Sequence, residues 1–94
     1  MVKVDFSTEA SVSLEKTAIW YENQAAGLSD DFLGDVEQSL RRIQSRPGLF
    51  SFLKPPIRKC IGRRFPYIIL YAFDEALNQV YITGFWHQKQ NFTD

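Results

Sequence analysis

Apolar positions Val2, Val4 and Phe6 alternate with Lys3 and Asp5, the period of a half-buried strand. Ser7 or Thr8 can then accept a hydrogen bond from an orphan amide, and Glu9 favours a helix amino end, so a helix starts there. Ala10, Leu14, Ala18 and Tyr21 put one apolar stripe along that helix to about Asn23, and Gly27 frees the chain to turn. Ser29 is the expected cap of a second helix, with Asp30 and Asp31 in its first turn. Its stripe is Phe32, Leu33, Val36, Leu40 and Ile43. Arg41, Arg42 and Arg46 suit the carboxyl end, and Pro47-Gly48 stops the helix. Two helices so closely joined predict an antiparallel hairpin with one apolar side, which needs a sheet to lie on.

Residues 47–56 carry Leu49, Phe50, Phe52 and Leu53 between prolines, and read as a packed loop. Residues 57–61 form a short strand before Gly62, residues 65–73 a continuously apolar central strand, and residues 80–86 the last strand. The predicted order is strand, helix, helix, strand, strand, strand. It defines an α+β domain in which a helical hairpin covers a four-stranded sheet, with the last three strands antiparallel and the first beside the last.

Strand alternation sorts the end of the chain into Val80, Ile82, Gly84 and Trp86 on one side and Tyr81, Thr83, Phe85 and His87 on the other. The first set suits the covered face, so the second is expected to look outward. For residues 67–73 register is not fixed by the pattern, and Tyr67 and Tyr71 fit two roles: stacking platforms for bases, or core residues with satisfied hydroxyls. His87, the only histidine, is the candidate general acid or base, beside the alternative of a structural histidine. Arg58, Arg63 and Arg64 are the candidate cations for a phosphate.

Composition narrows the field. The chain of 94 residues is sized for one core, with 15% aromatic residues and no apolar run long enough to span a membrane. The single cysteine, Cys60, excludes an intrachain disulfide, fits the cytosol and reads as a small buried residue. No zinc spacing, P-loop, GxGxxG or HExxH is present, so no metal or cofactor is expected. Net charge is zero, yet residues 39–64 hold eight basic side chains and no acid, while residues 1–38 hold two basic and eight acidic ones. So one-sided a block is a candidate surface for a polyanion or an acidic partner.

The series Glu9-Ala10, Leu14, Trp20-Tyr21-Glu22, Gly27-Leu28, Asp31-Phe32-Leu33, Pro47, Ile57-Arg58, Phe65-Pro66-Tyr67, Tyr71 and His87-Gln88-Lys89 resembles the RelE/ParE toxin superfamily of type II toxin-antitoxin systems. More narrowly, it is similar to the ParE-like plasmid-stabilisation branch with its WYE and FPY signatures. The resemblance covers about residues 4 to 92 and rests on the order and spacing of motifs that are individually weak. It implies a growth-inhibiting toxin neutralised by a cognate antitoxin. Operator DNA would be met only through that antitoxin, since nothing here reads as a helix-turn-helix. It also implies one of two targets: DNA gyrase, as in ParE-like members, or messenger RNA on the ribosome, cut without a metal, as in RelE-like members. A degenerate toxin that only binds its antitoxin is the third reading. In the nuclease reading His87 matches the acid-base position, with Arg58, Arg63 and Arg64 as cations. Two departures count against it: Ile68 stands where RelE-like nucleases tend to carry arginine, and Gln90 where relatives often carry a second basic residue. The implied antitoxin contacts are Arg41, Arg42, Phe50, Phe52, Lys54 and Arg58, in and around the 49–53 loop.

Overall fold

The computed structural model describes residues 2–88 of the chain. Lys89 and Gln90, on which two of the family readings fall, lie outside the described residues. The elements run β1 (Lys3–Phe6), α1 (Thr8–Gln24), α2 (Leu28–Ser45), β2 (Phe52–Lys54), β3 (Ile57–Ile61), β4 (Tyr67–Asp74) and β5 (Gln79–His87). They form one five-stranded sheet of order β1-β5-β4-β3-β2 under the helical hairpin. β1 lies parallel to β5 and every other pairing is antiparallel, so the α+β class and the place of the first strand are as the pattern predicts.

The sheet has one strand more than expected. Residues 52–54, read as packed loop, pair with β3 through Phe52↔Arg58 and Lys54↔Ile57. Prolines flank this stretch without occupying it, so its amides remain free to pair. The cis Pro55-Pro56 bond sits in the connection to β3.

Helix caps follow the sequence at one end of the hairpin and depart from it at the other. Ser7 caps α1, its hydroxyl accepting from the Ala10 amide at 3.0 Å. Ser29 does not cap α2; Gly27 holds the cap position at φ 85°, the left-handed region glycine enters without strain. The capping oxygens come instead from Glu22 of the preceding helix, which accepts from the Gly27 amide, the Ser29 amide and, at 2.7 Å, the Ser29 hydroxyl. A carboxylate of the WYE motif thus ties the two helices together where the α2 dipole is positive.

These hydrogen bonds hold the Glu22 carboxyl below the usual 4.5, the Gly27 amide contributing most. They are stronger to the ionised group than to the protonated one. Their stabilisation is therefore present above 4.5 and lost as pH falls through the lower folded value. Glu22→Gln should flatten the acid limb of a melting-temperature profile; an acid limb identical to that of the unmodified protein would refute the cap's role.

The core lies between hairpin and sheet: Ala10, Tyr21, Phe32, Val36, Ile43, Cys60, Tyr67, Ile69, Tyr71, Val80, Ile82 and Phe85 are buried. The α2 stripe is rotated from the one expected. Leu33 is 40% exposed, whereas Asp35 and Ser39 are buried beside Phe32, Val36 and Ile43.

The largest departure is on β5. The ladder with β4 runs Tyr71↔Ile82 and then Leu70↔Gly84, leaving Thr83 as an extra residue. A bulge of one residue inverts every side chain beyond it. Phe85 and His87, expected outward, are buried, and Trp86, expected in the core, is 51% exposed. No helix among the described residues is long and apolar enough to cross a membrane.

Candidate functional site

Three surfaces meet where the last strands end: a buried histidine nest, an apolar open sheet face, and a basic groove. The nest forms because the bulge turns His87 under α1. Its Nε2 lies 2.6 Å from the Tyr21 hydroxyl. The rings of Trp20 and Phe32 stand at centroid distances of 6.1 and 6.5 Å from the imidazole. Phe65 meets Tyr21 edge-on at 5.0 Å and closes the cluster. His87 is fully buried, so the outward placement that acid-base chemistry on a substrate requires is not found. Burial also raises the Tyr21 hydroxyl above its ordinary pKa, keeping it a neutral hydrogen-bonding group.

The two central tyrosines belong to the covered face. Tyr67 exchanges a 2.8 Å hydrogen bond with Ser39, and Tyr71 donates to the Pro47 carbonyl at 2.7 Å. Desolvation raises both hydroxyls; Tyr71 is pushed up to about 12, although Arg58 pulls the other way. Both are core residues with satisfied polar tips, which removes them as stacking platforms. Cys60 is buried, and desolvation raises its thiol against the opposing pull of Arg42, so it is poorly suited to act as a nucleophile.

What the sheet presents outward is apolar. One cross-strand row joins Ile61, Ile68 and Trp86, and the next joins Lys59, Leu70 and Gly84. Ile61 and Trp86 are 58% and 51% exposed. Ile68 therefore sits in the middle of a hydrophobic row, with no cation paired across from it on either side.

The candidate cations divide. Arg58 lies under the 47–51 connection, donating from Nη1 to the Phe50 carbonyl at 2.6 Å and stacking on the Phe52 ring at 3.9 Å. Arg64 and Phe65 follow Gly62, and both of their backbone amides donate to the buried Asp35 carboxylate at 3.1 Å. A Cβ on Gly62 would fall 2.5 Å from the Phe65 carbonyl oxygen and from the Tyr67 ring, so only glycine lets this turn close. Arg41 is exposed and spends its charge on Glu37, one turn earlier, at 3.5 Å. Lys54 and Phe52 lie exposed on the edge strand β2.

Arg42, Arg46 and Arg63 come together. With Ser45, Leu49 and Phe50 they line a groove of about 320 Å³ between the end of α2 and the 47–51 connection. A second hollow of about 310 Å³ shares Arg42, Leu49 and Phe50 and continues past Ser51 to Lys59 and Ile61. Arg42 is fixed at the junction: its Nη2 donates to Ser39 at 2.8 Å and to the Ile61 carbonyl at 3.3 Å, and its guanidinium lies 5.9 Å from the Phe50 ring centroid. Its buried Nε has no hydrogen-bond partner. Among the described residues no cluster of three or more histidine, cysteine or acidic side chains is arranged to hold a metal.

Of the residues singled out in the sequence, Arg42, Phe50 and Arg63 thus share a site, with Arg58 beside them; His87, Arg64, Arg41 and Lys54 lie elsewhere. Leu49 belongs to the loop named for binding, and Arg46 and Lys59 to the basic block, although neither cation was named as an individual contact. Solved structures share this architecture. A chain of the chromosomal ParDE TA system from P. aeruginosa superposes with a TM-score of 0.77 at 12% identity, covering 93% of this chain and 96% of that one. The chain has a RelE/ParE-like fold. A chain of the intact E. coli RelBE toxin-antitoxin complex matches with a TM-score of 0.69 at 13% identity, over 93% of this chain and 96% of that one. No family model and no curated protein matches the sequence. At such identities the likeness extends to the fold and carries no assignment of individual residues.

Proposed function

We propose that this protein is the toxin of a type II toxin-antitoxin pair, held inactive by a cognate antitoxin, and that it acts by binding its target, with DNA gyrase as the ParE-like choice. The observation that supports binding over hydrolysis is the state of the two positions on which nuclease chemistry would rest. His87 is buried against Tyr21, and Ile68 lies in the apolar row with Ile61 and Trp86. A nuclease must place a base or acid within reach of the scissile phosphate and cations around the developing charge. Here the open face offers an exposed tryptophan between isoleucines and glycine, a surface for apolar contact.

The second reading, a ribosome-dependent messenger-RNA nuclease, draws on the cations Arg42, Arg46 and Arg63 around one groove. Induced expression, alone and with the neighbouring gene, tests the toxin role. Growth should stop in the first case and resume in the second, and normal growth with folded, antitoxin-free protein would defeat it. Purified protein should then trap gyrase on cleaved DNA and leave messenger RNA intact in a translation extract; cleavage of the message would transfer the assignment to the nuclease reading.

A further inference from the structure

The trough centred on Arg42 holds more positive charge than the fold itself uses. Arg42, Arg46 and Arg63 line one lobe and Lys59 the other. The ion pair among the described residues belongs to Arg41, outside the trough. The carboxyl end of α2 opens into the same space, with a partial charge of about −0.5. Against three guanidinium groups that is a minor term, so the trough attracts anions.

The walls decide which anion. Leu49 is 67% exposed and Ile61 58%, and these aliphatic surfaces sit directly beside the cations. The one aromatic ring lining the trough, Phe50, is half-buried, with the Arg42 guanidinium at 5.9 Å and the Tyr71 ring edge-on at 6.3 Å, which makes it a poor stacking platform for a nucleobase. Each lobe is near the small end of ligand-sized clefts, about 300 Å³, suiting the side chains of an extended segment.

We infer that this trough is an anchor site for an acidic segment of a partner protein in which a carboxylate side chain alternates with a large aliphatic one. The carboxylate sits among Arg42, Arg46 and Arg63, and the aliphatic side chain packs on Leu49 and Ile61. The identity of that partner as the antitoxin rests on the toxin reading above; the site and its chemistry do not.

The test uses the purified full-length chain and three fluorescein-labelled probes: a Ser/Gly-rich peptide with Glu-Leu-Glu at its centre, its Gln-Leu-Gln counterpart, and an oligouridine. The Glu-Leu-Glu peptide should bind at least about tenfold tighter than the Gln-Leu-Gln one, and Arg42→Gln should weaken it by a similar factor, the scale of a lost charge-assisted hydrogen bond. Arg41→Gln should leave binding unchanged. Should Arg42→Gln disturb folding through Ser39, Arg46→Gln, which lines the trough without bonding to the core, must still weaken binding. Equal binding of the two peptides, indifference to Arg42→Gln and Arg46→Gln, or displacement of the peptide by a tighter-bound oligouridine would each overturn the proposal. If growth arrest is absent while the peptide binds through Arg42 and Arg46, the trough stands and the toxin reading falls.

Discussion

His87→Ala should lower unfolding free energy by about 3 kcal/mol, the scale for deleting a large, fully buried side chain. The imidazole fills space between Trp20, Tyr21 and Phe32, and its removal also takes the 2.6 Å partner from the Tyr21 hydroxyl. Against a typical total of about 5–15 kcal/mol, this loss is enough to populate unfolded protein in a cell. Tyr21→Phe removes the same hydrogen bond while keeping the ring, and should cost only about 1–2 kcal/mol. The double variant should be less destabilised than the sum of the two, because they share one interaction. Urea unfolding of the four proteins decides the point. If His87→Ala unfolds at the same urea concentration as the unmodified protein, the histidine is not a packing element and an acid-base role regains its standing. The distinction matters for toxicity assays: growth restored by His87→Ala reads as lost catalysis unless folding is measured beside it.

The misplacement of His87 in the sequence pattern has an identifiable cause. Period two assigns each residue of a strand to a face only while the ladder is regular, and the extra residue at Thr83 breaks it. The signal was Gly84: a glycine inside a strand pattern marks a bulge or a close approach, and here a Cβ would come within 3.3 Å of the Leu70 side chain. The helical hairpin and the antiparallel β3, β4 and β5 were legible because they depend on long apolar periodicity and short connections; β2 was not, because three residues between prolines carry no periodicity. The basic groove was half legible. Charge segregation along residues 39–64 announced a surface, but which cations converge depends on how α2 meets the 47–51 connection. Arg41 and Arg42 are neighbours in sequence, yet one pairs with Glu37 on the surface while the other reaches Ser39 and Ile61.

The α2 stripe teaches a related lesson. Counting only apolar side chains gave Phe32, Leu33, Val36, Leu40 and Ile43, a band about as wide as the real one but centred wrongly. Phe32, Asp35, Val36, Ser39 and Ile43 are the buried set, spaced by threes and fours, and the two polar members were passed over because of their chemistry. A buried polar residue requires a partner, and both have one: Ser39 the Tyr67 hydroxyl and Arg42, Asp35 the amides of the β3–β4 turn. These partners position the functional surface. Ser39 fixes Arg42 at the centre of the trough, and the turn held by Asp35 carries Arg63 to its rim.

Asp35→Ala should therefore be the second severe substitution, at about 3 kcal/mol. Its carboxylate accepts from the Arg64 and Phe65 amides, both at 3.1 Å, and hydrogen bonds to a charged group are each worth about 1.5–3 kcal/mol. Two of them exceed the modest gain from burying a smaller, apolar side chain. The loss is local before it is global, because Gly62 and Tyr67 are joined across the same turn by a 2.8 Å backbone hydrogen bond that survives the substitution. Amide hydrogen exchange should show it first at Arg64 and Phe65, with residues 69–71 protected until the whole domain opens. Both amides donate to one oxygen, Oδ2, so Asp35→Asn can keep an acceptor for the pair and loses only the charge assistance; it should retain roughly half of the lost stability. The acidic-peptide affinity of the trough gives an independent readout. If the turn positions Arg63, Asp35→Asn should weaken peptide binding under conditions where the protein remains folded, with Arg42→Gln still acting on what remains. Unchanged exchange at Arg64 and Phe65 in Asp35→Ala would show that the turn holds itself and that Asp35 contributes nothing to the site.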